Sequence, residues 1–90
     1  DNCIWQAPEV IAHQEFDHRA DIYAFGMIMW ELTERDRPFK DIQWMTQIAD
    51  LVLEGGRPQI HSECPFPEWI SLMQRAWSQD PRRRPSFETI

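Results

Sequence analysis

The sequence predicts an all-α fold, and three observations carry that prediction. Apolar residues recur at helical spacing in two stretches and occupy every face of a third, longer one. No segment alternates apolar and polar residues in the way a half-buried strand does. Gly and Pro stand where helices begin and end. Five Trp, five Phe and one Tyr, with 42% apolar residues, supply enough core-building side chains to argue against disorder despite 27% charged residues.

Taken in order, residues 1 to 6 read as irregular, and Pro8 fits the first turn of a short helix reaching about His13, where a missing amide hydrogen costs nothing. A central helix is predicted over about 18–33. Its run Ile22-Tyr23-Ala24-Phe25-Gly26-Met27-Ile28-Met29-Trp30 is too long for one strand and apolar on all sides, which predicts burial on all sides. Arg37-Pro38-Phe39 breaks that helix. Trp44, Ile48, Leu51 and Val52 then form an amphipathic stripe, ended by Gly55 and Gly56 ahead of Pro58. Residues 57 to 66 read as an extended loop. Pro67 and Glu68 open a further helix whose stripe is Trp69, Leu72, Met73 and Ala76, and which stops before Asp80-Pro81. Pro85 is read as the start of a last helix.

The central helix conflicts with the length of the chain. Ninety residues hide only about 60 to 65% of the surface their unfolded form exposes, too little to surround a four-turn helix completely. Part of its wrapping is expected to lie elsewhere. The chain starts at Asp1 rather than Met and stops at Ile90 within a predicted helix start, so the sequence reads as a fragment.

A formal net charge of −6 gives no general attraction to nucleic acid or anionic lipid, and neither is an expected partner. Arg82-Arg83-Arg84, flanked by Asp80-Pro81 and Pro85 in an acidic chain, is poor support for a nucleic-acid patch. Cys3 and Cys64 lack the paired spacing of zinc or redox sites, so free thiols in a reducing, cytoplasmic setting are expected. His13 and His18 lie five apart, wrong for two ligands on one helix face, and His61 is remote, so no metal site is predicted. The longest apolar run is nine residues, well short of the roughly 20 needed to span a bilayer, and no membrane association is expected.

Trp5-Gln6-Ala7-Pro8-Glu9, Asp21-Ile22-Tyr23-Ala24-Phe25-Gly26, Arg37-Pro38-Phe39, Gly56-Arg57-Pro58, and Trp77 with Asp80-Pro81 and Arg84-Pro85-Ser86-Phe87 follow one another in that order. Together they resemble the eukaryotic protein kinase domain from the end of the activation segment onward. Any one alone is weak, but five in order and spacing are specific. The ending is similar to that of the tyrosine-kinase-like group, and tyrosine kinases share it. The resemblance implies the helical part of a kinase large lobe. Residues 1–90 would then form a partial domain, from the end of the activation segment to the start of the last helix, with the N-terminal lobe and catalytic loop outside it.

What the resemblance implies for single residues follows. Glu9 of Ala7-Pro8-Glu9 would pair with Arg84 and tie the activation segment to the lobe, with a loose surface contact as the plainer alternative. Asp21 would hold the catalytic loop, or merely favour the N-terminus of its helix by charge. Gly26 is explained by close packing of another backbone, since Gly inside a helix costs about 1 kcal/mol relative to Ala. Ile4, Trp5 and Gln6 map beside the phosphoacceptor and become candidates for substrate contact, although packing is the commoner role for an aromatic there. A Thr that Ser/Thr kinases normally carry is replaced here by Asn2, which leaves the acceptor residue open.

Phosphoryl transfer in this family needs a Gly-rich loop, a strand Lys, a catalytic-loop Asp and Asn, and an Asp-Phe-Gly segment. None occurs in the sequence, whose three glycines stand at 26, 55 and 56. No catalytic, cofactor-binding or metal residue is therefore assigned, and ATP and magnesium are expected only for the complete kinase. Three readings follow. The parent is an active kinase acting on protein, with this piece a scaffold for the remainder of the kinase domain; or it is a non-catalytic interaction module, binding through the helices around Trp44 and Trp69; or the chain is an unrelated helical bundle.

Overall fold

The computed structural model describes residues 4–61, 63 and 66–88. Asn2, Cys3 and Cys64, on which the acceptor and thiol expectations rest, lie outside the described residues. Four α-helices follow one another: α1 (Pro8–Ile11), α2 (Arg19–Glu34), α3 (Met45–Leu53) and α4 (Pro67–Ala76), then a 3₁₀ turn over Pro81–Arg83. No strand occurs among the described residues.

Local chemistry sets these boundaries. Pro8 and Pro67 occupy first-turn positions that need no amide hydrogen. α1 stops at Ile11, two residues short of the expected His13, because His13 takes φ 57°, outside the helical region. The Asp17 carboxylate accepts from the Arg19 amide at 2.9 Å just ahead of α2. α3 closes with amides of Gly55 and Gly56 donating to Val52 O at 3.0 Å and Leu51 O at 2.8 Å. Gly55 has φ 100°, open to glycine at no steric cost.

The final helix expected from Pro85 is not formed over residues 85–88, which run into a turn. The regular element near this end lies earlier instead. Asp80 accepts from the Arg82 amide at 3.0 Å and Pro81 sits at the first position, so an Asp-Pro pair starts the 3₁₀ turn.

α2 and α4 run antiparallel as the main packing pair. Gly26 lies against Met73, Ala76 and Trp77, while one helical direction further on Trp69 Nε1 donates to Thr33 Oγ1 at 2.7 Å. Tyr23, Met27, Met29, Ile48, Val52 and Met73 form the centre of the core. The radius of gyration, 12.6 Å, matches the roughly 12 Å of a folded chain this long. One dimension is only 19 Å, about two helix diameters.

A slab that thin cannot enclose a helix. α2 accordingly has an open side, as expected of a chain too short to wrap it completely: Ile28 is 45% and Leu32 65% exposed. With Asp21 and Phe25 they follow i, i+4, i+7 and i+11 spacing, a single stripe along the helix. Phe87 meets that stripe edge-on to Phe25, at 6.1 Å between ring centroids. The core is therefore well made on one side of α2 and uncovered on the other.

Candidate functional site

Two local arrangements stand out, a buried charged hub and the segment leading into α1. The hub begins with Glu9 in the first turn of α1, where a carboxylate suits the positive end of the helix. Arg84, in extended backbone directly after the 3₁₀ turn, reaches it across 75 positions. Arg84 Nη1 donates to Glu9 Oε2 at 2.7 Å and Nη2 to Oε1 at 2.9 Å, a planar fork-to-fork pair. Nη1 also donates to Arg19 O at 2.9 Å and Nε to Ser78 O at 3.0 Å. One side chain thus joins α1, the start of α2, the segment after α4 and the 3₁₀ turn.

Both partners are buried, with Glu9 7% and Arg84 6% exposed. The hub is therefore a desolvated pair and not the loose surface contact considered as its alternative. Burial pushes the Glu9 carboxyl up, but the Arg84 hydrogen bond, its own backbone amide and the Arg84 charge outweigh that and hold it below the ordinary 4.5.

Sequence reasoning missed the second half of the hub. Arg57 Nε donates to Trp77 O at 2.9 Å, Nη1 to Gly56 O at 2.6 Å and Nη2 to Gln79 Oε1 at 2.7 Å. Gln79 Nε2 in turn serves the α3 carbonyls of Val52 and Leu53 at 3.2 and 3.1 Å. Arg57 and Arg84 both lie over the Tyr23 ring, at 4.9 and 5.2 Å from its centroid. Burial lowers the Arg57 pKa and raises that of Tyr23, the latter opposed by the two guanidinium charges. The Tyr23 hydroxyl has no hydrogen-bond partner among the described residues.

The segment before α1 divides sharply. Ile4 and Ala7 are each 1% exposed and belong to the core. Ile4 therefore offers its side chain to packing and presents no surface to a substrate, which corrects its place among the candidate contacts. Trp5 and Gln6 remain half-buried. Trp5 Nε1 donates to Glu31 Oε1 at 2.5 Å, a link between this segment and α2 that the sequence did not suggest. Gln6 lines a shallow cleft with Val10, Ile11, His13, Gln14 and Phe16.

The other marked residues are not brought together with these. Asp21 is exposed at the head of the open α2 stripe, and its carboxylate has no partner among the described residues. A Cβ on Gly26 would stand 3.0 Å from Ala76 Cβ and 3.2 Å from Met73 O, so α4 occupies the space a side chain would need. Pro8 is buried beside Glu9. Arg82 pairs with Asp80 and Arg84 with Glu9, so the basic run does not present three neighbouring guanidinium groups.

Among the described residues no three His, Cys, Asp or Glu side chains converge. Gly26 is packed against α4 and Gly55-Gly56 close α3, so no glycine forms a phosphate-cradling loop. No helix among the described residues is long and apolar enough to cross a membrane.

Comparison with known proteins agrees with this geometry. The chain is 40% identical over its whole length to Cyclic GMP-binding protein C of Dictyostelium discoideum, covering 4% of that protein. It is 43% identical over 99% of its length to the probable serine/threonine-protein kinase roco9 of the same organism, covering 3%. Serine/threonine-protein kinase STY17 of Arabidopsis thaliana is 37% identical over 96% of the chain, which covers 15% of it. The chain thus spans a small part of the relatives it matches. The family model described as protein tyrosine and serine/threonine kinase matches residues 2–90, and the chain belongs to that family.

Proposed function

We propose that residues 1–90 are the helical floor of the large lobe of an ATP- and magnesium-dependent protein kinase, running from the end of the activation segment to the start of the last helix. The parent transfers phosphate to Ser or Thr of protein substrates and belongs to the tyrosine-kinase-like group. The observation that carries this reading is the bidentate Glu9–Arg84 pair, buried and 75 positions apart. It fixes the segment holding Trp5 and Gln6 to the lobe and so gives a substrate-facing strip a rigid base. Relatives named as serine/threonine-protein kinases support the acceptor class.

In this reading the open stripe of Asp21, Phe25, Ile28 and Leu32 receives the remainder of the kinase domain, with Asp21 facing the catalytic loop. Trp5 and Gln6 keep the substrate-contact role, and Ile4 does not. The setting is cytoplasmic. The chain alone is inactive, because the residues that hold nucleotide and magnesium belong to the rest of the domain.

One observation favours a non-catalytic interaction module: Trp44 is 59% exposed beside the exposed Met45 at the head of α3. Phosphotransfer by the parent protein, with ATP, magnesium and a generic protein acceptor, separates the two. Phosphate on Ser or Thr is the outcome proposed; neither turnover nor nucleotide binding transfers the assignment to the module.

A further inference from the structure

One cavity is used neither by the hub nor by the segment before α1. It lies between the last turns of α2 and α3, the connecting segment 35–42 and the segment 57–61. Its volume is about 260 Å³, just under the roughly 300 Å³ at which pockets for drug-sized ligands begin, so it has room for one large side chain and little more. Trp30 forms part of its wall. Trp30 and Ile28 stand two positions apart, about 200° around the helix, so the cavity lies on the side of α2 away from the open stripe. A body seated on that stripe leaves the cavity accessible.

The wall is apolar and set in advance. Trp30 spends its indole hydrogen on Gln59 O at 3.0 Å, so it offers only ring surface, beside Phe39, Ile42, Leu51 and Pro58. Phe39 is held at φ 56°, which a bulky residue rarely adopts. Two features keep it there: Pro38 before it is fully buried, and the Ile42 amide donates to Phe39 O at 3.0 Å. Strain fixed in this way by its surroundings clusters at ligand clamps, and a fixed wall lowers the ordering cost of binding.

The rim decides the charge of the ligand. Both Asp36 oxygens are taken, one by the Arg37 amide at 2.8 Å and the other by Lys40 Nζ at 2.6 Å. Glu34 accepts from the His61 amide at 3.1 Å, and Arg57 is committed to Trp77, Gly56 and Gln79. Asp41 adds one acid, next to Lys40 and in the field of its ammonium. The Arg37 guanidinium, exposed at the rim, has no partner among the described residues. Its planar fork of five N–H donors fits a carboxylate through two parallel bonds.

We propose that this cavity docks a partner peptide, which inserts one aromatic or large aliphatic side chain against Trp30 and Phe39 and sets an adjacent carboxylate on Arg37. The proposal does not rest on the kinase reading, and phosphotransfer is not its readout.

The test uses the parent protein labelled with fluorotryptophan, so that the fluorine resonance of Trp30 reports on the cavity wall. It is titrated with the capped peptides Gly-Glu-Phe-Glu-Gly and Gly-Lys-Phe-Lys-Gly. The acidic peptide should shift the Trp30 resonance saturably with Kd on the order of 1 mM or below. The basic one should bind at least about tenfold more weakly. Arg37→Glu alters only an exposed side chain and should weaken the acidic peptide about tenfold. Ile42→Trp fills the cavity and should abolish binding of both peptides. Arg83→Glu, the same charge change at an exposed residue outside the cavity, should bind like wild type. A Trp30 resonance unmoved by the acidic peptide at about 10 mM overturns the proposal, as does equal affinity for the two peptides. So does an Arg37→Glu affinity within about twofold of wild type, or binding that survives Ile42→Trp unchanged.

Discussion

The two sides of α2 differ in finish. On one, α4 lies so close that a Cβ on Gly26 would stand 3.0 Å from Ala76 Cβ, Trp69 donates to Thr33, and two guanidinium groups close over Tyr23. On the other, Asp21, Phe25, Ile28 and Leu32 form an apolar stripe with an acid at its head and little over it. A helix apolar all round in sequence is thus closed on one side only, and in the proposed reading its open side receives the rest of the kinase lobe. The closed side holds the chain together, and the open side stays exposed.

The comparison predicts unequal sensitivity. On the closed side, Glu9→Ala strands the Arg84 guanidinium and should cost about 3 to 5 kcal/mol, enough to abolish cooperative urea unfolding of so short a chain. Arg84→Lys should be nearly as damaging, because a single ammonium cannot form the two-pronged bond or reach the Arg19 and Ser78 carbonyls at once. The same pair gives a pH signature. Because the folded Glu9 pKa is depressed, its stabilisation is complete above the ordinary 4.5 and is lost as pH falls through the lower folded value. In urea melts of the parent, the gap between wild type and Glu9→Gln should be constant near neutrality and shrink below about pH 4.5.

Gly26→Ala comes next. The added methyl would stand 3.0 Å from Ala76 Cβ and 3.2 Å from Met73 O, so α4 must shift to admit it, and overpacking of about 1 to 3 kcal/mol should exceed the roughly 1 kcal/mol gained in helix propensity. A lower thermal midpoint than wild type is the expected result; a higher one would mean that α2 and α4 can separate freely.

On the open side, Ile28→Glu should change the stability of the 90-residue chain by no more than about 0.5 kcal/mol and reduce its self-association in sedimentation. Loss of folding in that variant would show the stripe to be part of the chain's own core. Smallest of all, Arg82→Ala removes only an exposed pair with Asp80, and its melting curve should overlay that of wild type.

Much of this was legible in the residues. The helices announced themselves through apolar spacing, Pro at first turns and the Gly55-Gly56 stop, and family motifs paired Glu9 with Arg84 before any geometry. Gly26 was legible because a glycine inside an apolar helix needs a reason. Arg57 was not: its partners are carbonyls of Gly56 and Trp77 and the side chain of Gln79, and backbone acceptors leave no mark in a sequence. Trp5–Glu31 and Trp69–Thr33 escaped for a related reason, since indole donors accept many partners and only the fold selects one. The 3₁₀ turn at Asp80-Pro81 could have been found from its capping chemistry, which was read there only as a helix stop.

The most direct test of the central claim is phosphotransfer by the parent protein with ATP and magnesium, wild type beside Ile28→Glu. The account predicts phosphate on Ser or Thr in the wild type and its loss in the variant, because a carboxylate would then be buried where the stripe meets the rest of the lobe. An active Ile28→Glu parent would contradict the assignment of the open side, and a wild type that neither transfers phosphate nor binds nucleotide would contradict the kinase reading itself.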